Sequence, residues 1–138
     1  MSLIYLLDTN TISEPLKATP NQQVIENIKR YHAQIAIAAM VFYELVRGAE
    51  LLPDSKKRLK TTDYIESVLI KFPILPYTEK AAKWHGQTAA HLQQQGKTPP
   101  FVDAQIAAVA KTNNLILVTR NVDDFANFSD LLIENWFC

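Results

Sequence analysis

Five acidic side chains in this sequence stand where they could share one piece of chemistry. Asp8 ends the apolar run Leu3-Ile4-Tyr5-Leu6-Leu7, and Glu44 sits among Phe42, Tyr43, Leu45 and Val46. Asp103 follows Pro99-Pro100 and opens a stretch of small apolar residues, while Asp123 and Asp124 trail the run Leu115-Ile116-Leu117-Val118. Each has an ordinary reading as a helix cap, a first-turn residue on a helix dipole, or a turn residue. Their settings are apolar, however, and a lone buried carboxylate is costly unless something pairs with it. No lysine or arginine is obviously supplied to all of them. Carboxylates converging on one pocket repel, and a hard divalent cation is the usual resolution. An all-oxygen ligand set selects Mg²⁺ or Mn²⁺ over zinc. His32, His85 and His91 show no HExxH spacing and read as helix-surface or packing residues.

Positioning such acids requires strands that end where they stand. Leu3–Leu7 reads as a strand buried on both faces, with Asp8-Thr9-Asn10 at its carboxyl end. One or two helical turns are expected over Thr11–Lys17, ending near Pro15. A helix opened by Pro20-Asn21 carries Val24, Ile25, Ile28 and Tyr31 on one stripe. Ile35–Ala38 is a second strand, and Ala39–Glu50 a helix facing inward with Val41, Leu45 and Ala49. Asp54 or Ser55 caps a helix to about Lys71 that buries Ile65, Val68, Leu69 and Phe72. Its first turns hold Lys56, Lys57, Arg58 and Lys60, the densest basic cluster, either a solvated face or a set of phosphate contacts.

Ile74-Leu75, between prolines, is confined to an edge strand or to strand ends. A long helix over Thr78–Gln95 places Ala82, His85, Ala89 and Leu92 on one side, and Phe101–Asn113 forms an inner helix. Leu115–Val118 is a fourth strand and Leu131–Ile133 a final edge strand. Strands alternating with helices define an α/β domain with a mostly parallel sheet, whose ligands bind at the carboxyl ends of the strands.

Composition narrows the class. With 138 residues, 48% hydrophobic and 20% charged, the chain reads as one compact domain over residues 1–138. Lys plus Arg and Asp plus Glu both number 14, so any nucleic-acid affinity must be local. Three glycines leave neither a GxGxxG nor a P-loop, and there is no internal repeat. The only cysteine, Cys138, excludes an intrachain disulfide and a thiolate metal site. No apolar run approaches the roughly 20 residues of a membrane span, and the N-terminus lacks a signal-peptide pattern. A cytoplasmic protein is expected.

Four stretches together resemble a known family: LLDTNTISE (6–14), YELVRGAELLPDSKKR (43–58), VDAQIAAVA (102–110) and LVTRNVDDF (117–125). In this order they resemble the PIN-domain ribonucleases, specifically the VapC/FitB-type toxins of type II toxin–antitoxin pairs. The resemblance implies a three-layer α/β/α sandwich and a Mg²⁺- or Mn²⁺-dependent endoribonuclease. It matches Asp8, Glu44 and Asp103 to the three acids that gather the metal, and Asp124, with Asp123 as its neighbour, to the fourth. Thr119 and Asn121 match residues that brace or line the site, and Asn10 is expected to partner Asp8. Arg47, Lys97, Arg120 and the lysine cluster would guide an RNA backbone. The resemblance further implies a tRNA or other structured RNA as substrate, a small antitoxin lying across the active site, and a homodimer. The stripes Val24/Ile28/Tyr31 and Ile65/Val68/Leu69 offer apolar surface for such contacts. Two other readings compete. Asp8-Thr9-Asn10-Thr11 sits near the DxDx[TV] loop of haloacid-dehalogenase-like phosphatases, but Asn10 replaces the second acid. A non-catalytic α/β binding module is the third.

Overall fold

The structure, a computed structural model, describes residues 2–138. Its centre is a parallel sheet in which strands β1 (Tyr5–Leu7), β2 (Ile35–Ala38), β3 (Ile74–Leu75), β4 (Ile116–Val118) and β5 (Ile133–Glu134) lie in the order β3-β2-β1-β4-β5. The apolar runs explain the middle of this order. Leu6, Leu7, all of β2, Leu117 and Val118 are completely buried, as strands covered on both faces must be. Each large aliphatic side chain so buried contributes about 1.5–3 kcal/mol against the unfolded chain.

Between the strands run α1 (Thr9–Ile12), α2 (Gln22–Arg30), α3 (Ala39–Glu50), α4 (Lys56–Lys71), α5 (Glu79–Gln94) and α6 (Phe101–Thr112). The chain moves from β1 to β2 to β3 in one direction, then returns past β1 to β4 and continues to β5. Right-handed crossovers therefore send α5 and α6 to the face opposite α2–α4, giving three layers. The reversal falls between β1 and β4. A crevice opens at the carboxyl ends of strands at such a switch point.

Local chemistry fixes the helix ends. Asn21, Ser55 and Thr78 cap α2, α4 and α5 by accepting backbone N–H groups with their side chains. Helix α5 closes on Gly96, whose φ of 75° is the left-handed conformation, with Lys97 N–H donating to Leu92 O. Helix α6 closes the same way on Asn114, φ 56°, with Leu115 N–H donating to Ala110 O.

Several expectations shift. The final strand is not Leu131–Ile133 but Ile133–Glu134, because pairing begins only where β4 offers a partner, Leu117 opposite Ile133. Leu131 instead turns its N–H to Phe128 O and buries its side chain. The segment after Asp8 splits into the four-residue α1 and a 3₁₀ turn over Glu14–Leu16. On α5 the inward residue is Ala81, not Ala82, with His85 and Leu92 following it. On α4 Leu69 is 43% exposed, while Ile65, Val68 and Phe72 are buried. The α2 stripe is largely internal: Val24 is fully buried, and Ile28 and Tyr31 pack on the core. Neither stripe is therefore a free apolar face along its whole length. No helix is long and apolar enough to cross a membrane among the described residues.

Candidate active site

Asp8 is placed by the strand before it and fixed by residues distant in sequence. Its N–H donates to Val118 O, which continues the β1–β4 ladder by one residue. The register that sets Leu7 opposite Val118 and Ile37 brings Asp8 level with Thr119 on one side and Ala38 on the other. Thr119 Oγ1 donates to Asp8 Oδ2 at 2.5 Å. Thr11 donates to Oδ1 twice, from its backbone N–H at 3.0 Å and its hydroxyl at 2.9 Å. The carboxylate thus caps α1 with one oxygen. It is 6% exposed, and both threonines are fully buried. Burial pushes its pKa above the ordinary carboxylate value, and the hydrogen bonds from Thr119 and Thr11 offset only part of that rise.

Glu44 projects from the second turn of α3, which starts directly after β2 at the sheet's carboxyl edge. Its Oε1 accepts a hydrogen bond from Thr9 Oγ1 at 2.7 Å, tying α3 to α1. Asp103 lies in the first turn of α6. No strand precedes that helix, so only packing of α6 against its neighbours brings Asp103 to the same edge. Its carboxyl is pushed up by burial and then by the charges of Asp124, Glu44 and Asp8. Charges from three separate elements therefore reach Asp103 on a fourth. Asp124 and its neighbour Asp123 occupy the exposed 3₁₀ turn Val122–Phe125 after β4. Of these two, Asp124 and not Asp123 is among the charges that raise Asp103.

The fit of these residues to a cation rests on what else surrounds them. Among the described residues the two ion pairs are Lys17–Glu14 and Arg58–Glu50, so none of the four acids has a cationic partner there. No three acidic, histidine or cysteine side chains already stand in ligating geometry among the described residues. The donors are all carboxylate oxygens, the set a hard divalent ion takes.

Other expected site residues fall differently. Asn10 is exposed, and bracing of Asp8 comes from Thr11 and Thr119 instead. Asn121 acts through its backbone N–H, which donates to Thr119 Oγ1 at 3.0 Å and so orients that hydroxyl. Arg120 lays its guanidinium over the Phe137 ring at 4.9 Å. Arg47 is exposed in the last turn of α3, and Lys97 is exposed beyond α5, in the turn around Gly96. His85 is a packing residue: buried, bonded to Tyr77 Oη through Nδ1 at 2.8 Å, and biased toward the neutral form by burial. His32 and His91 are exposed.

The sequence pattern does not single out two of the bracing partners, Thr9 and Thr11, or one buried acid, Glu14. Thr9 and Thr11 look like ordinary helix-start residues, and the alternation of hydroxyls after Asp8 is the one signal they leave. Glu14 is 3% exposed, with Oε1 2.9 Å from Lys17 Nζ and Oε2 accepting Asn21 N–H at 2.8 Å. Burial alone would raise its pKa, but Lys17, the Asn21 N–H and the more distant Arg120 charge together hold it below the ordinary value.

A parallel α/β sheet with acids gathered at its switch point defines the class of protein. Comparison with known proteins gives the family. The family model described as "PIN domain" matches residues 5–131, and the chain belongs to the PIN-domain family. It is 35% identical over 135 residues to toxin FitB of Neisseria gonorrhoeae, covering 95% of this chain and 97% of that one. It is 31% identical over 134 residues to the tRNA(fMet)-specific endonuclease VapC of Shigella flexneri, covering 97% and 98%. The crystal structure of FitAcB from Neisseria gonorrhoeae superposes with a TM-score of 0.89 at 33% identity, covering 97% of this chain and 99% of that one.

Proposed function

We propose that this single PIN domain is the toxin of a type II toxin–antitoxin pair, an endoribonuclease that hydrolyses RNA phosphodiester bonds with the help of Mg²⁺ or Mn²⁺. The observation that carries this reading is the approach of Asp8, Glu44 and Asp124 to Asp103, whose carboxyl they push up together with burial, with no cationic side chain paired to any of the four among the described residues. Near full-length similarity to a toxin and to an endonuclease acting on tRNA supports the class of substrate. Structures named as the paired assemblies FitAcB and VapBC support a small antitoxin as partner. A homodimer follows from the family resemblance.

The acids divide the work by their surroundings. Thr119 and Thr11 hold the Asp8 carboxylate in one orientation, and Thr9 holds Glu44. Asp103 and Asp124 complete the cluster from the opposite side of the switch point. Asp8, Glu44, Asp103 and Asp124 would hold a divalent ion, which would offset their negative charge and supply Lewis-acid activation of a water. The water oxygen joins phosphorus as the bond from phosphorus to the 3′ oxygen breaks, and a proton from that water ends on the 3′ oxygen, which gives 5′-phosphate and 3′-hydroxyl ends. Incubating the purified protein with RNA and Mg²⁺ or Mn²⁺ tests the reading. Cleavage that disappears in Asp8→Asn and Asp103→Asn supports it, and full activity in both variants refutes the site.

A further inference from the structure

A groove of about 850 Å³ runs along α3 from Glu44, the one acid of the cluster that lines it, to the start of α4. Thr9 and Glu44 stand at one end, and Lys56, Lys57 and Lys60 at the other. Small residues, Gly48 and Ala49, form part of its α3 wall. Two of the cations in or beside this groove are already occupied: Lys17 neutralises the buried Glu14, and Arg58 pairs with Glu50. Lys56, Lys57 and Lys60 are exposed, with no carboxylate partner among the described residues.

These lysines also stand where stability does not favour them. They occupy the first two turns of α4, whose first turn holds no acid. The partial positive charge of a helix N-terminus disfavours cations there. The chain as a whole carries no net charge, so the cluster is not a by-product of a basic composition.

We propose that the Lys56/Lys57/Lys60 groove is the path of the RNA backbone on one side of the scissile phosphate. The inference rests on the endoribonuclease reading, and charge complementarity selects the occupant. A polyphosphate strand leaving Glu44 along α3 meets three unpaired lysines at the start of α4, which add affinity away from the reacting phosphate. They are positioning residues: they hold phosphates away from the reacting one.

The test compares the wild type with Lys56→Gln/Lys57→Gln/Lys60→Gln and with the corresponding triple arginine variant. Cleavage of a single-stranded RNA is followed across a salt series with Mg²⁺ or Mn²⁺, and binding of the same RNA by fluorescence anisotropy in the Asp8→Asn background. The glutamine variant is expected to raise KM by about tenfold with little change in kcat. It should also flatten the slope of log affinity against log salt by about 2, roughly 0.7 for each phosphate that no longer meets a lysine. Arginine should restore both. A purely structural role would leave the salt slope alone, and circular dichroism checks that the fold is kept. An unchanged KM and slope in the glutamine variant overturn the groove while leaving the nuclease reading intact. No cleavage by the wild type, with lysine-dependent RNA binding, overturns the nuclease reading and leaves the groove standing. Weaker affinity for a protein partner, with RNA binding unchanged, also overturns the groove.

Discussion

Thr119 and Asp8 are 111 positions apart in sequence, and the Thr119 hydroxyl donates to Asp8 Oδ2 at 2.5 Å. The hydrogen bond exists because β1 and β4 are neighbours in parallel register and each side chain lies one residue beyond its strand. Thr119 in turn accepts the Asn121 N–H, so its hydroxyl proton has one direction left to point. Thr119→Val keeps the shape and removes the donor. It should lower RNA cleavage by about 10–100-fold, the usual cost of removing a group that orients a metal-binding carboxylate. Thr119→Ser should keep most activity. Equal rates in the valine and serine variants would count against the bracing role.

Divalent metal should stabilise the native protein. With free Mn²⁺ at about 100 times its dissociation constant, the gain is about 2.7 kcal/mol, several degrees in Tm. Asp8→Asn and Asp103→Asn should each erase most of that shift in a thermal melt, and a wild-type Tm indifferent to Mg²⁺ and Mn²⁺ would sink the proposed metal dependence. In the metal-free protein Asp103→Asn should melt a few degrees higher, because it removes a charge that its acidic neighbours oppose.

The pH dependence of metal-free stability should carry two opposite signs. Asp103 is held above its ordinary value by burial and by Asp124, Glu44 and Asp8. Its native state keeps a proton that the unfolded chain releases, so stability falls as pH rises through the raised pKa. Glu14 behaves in reverse. Its net shift is downward despite burial, so its contribution is present above the unfolded pKa and is lost as pH falls through the lowered one. Melts over an acidic pH series should show Glu14→Gln flattening the acid limb and Asp103→Asn flattening the opposite one. A variant that merely displaces the curve without changing its shape would contradict the assignment.

Gly96→Ala should cost about 1 kcal/mol in chemical denaturation. A Cβ at this position meets no atom within 4 Å, so the penalty comes from φ 75° alone. Asn114→Gly, at the matching turn after α6, should be neutral or stabilising. A harmless Gly96→Ala would mean that the turn has other conformations open to it.

Apolar runs carry much of the fold. Ile35–Ala38 and Leu115–Val118 can be read as buried strands because nothing polar interrupts them, and Ala39–Glu50 is legible from its inward spacing. β5 starts two residues later than its apolar run suggests, because a two-residue edge strand is defined by its partner rather than by its own pattern. Within the candidate site, Asp8 directly follows β1 and Glu44 lies on the helix that directly follows β2, so their edge is implied by topology. Asp103 is not so tied, and its convergence depends on tertiary packing that no local pattern encodes. Thr9 and Thr11 are hidden for a similar reason, since a hydroxyl that orients a carboxylate looks in sequence like any helix-start residue. Thr119 is legible only through the family resemblance, because nothing in its own surroundings says which acid it faces. Asn10, close to Asp8 in the chain, faces solvent instead.

The central place of the first strand sets an order in time. Tyr5 must wait for Ile116 before it has a neighbour on one side, and Asp8 must wait for Thr119. During synthesis the first 75 residues can assemble only β1 with β2 and β3, an incomplete sheet with two of the four acids. Asp103, Thr119 and Asp124 arrive in the last quarter or so of translation, and domains fold as whole units. A chain cut short of β4 therefore lacks Thr119 to orient Asp8 and Asp124 to face Asp103, and its first strand keeps one edge bare.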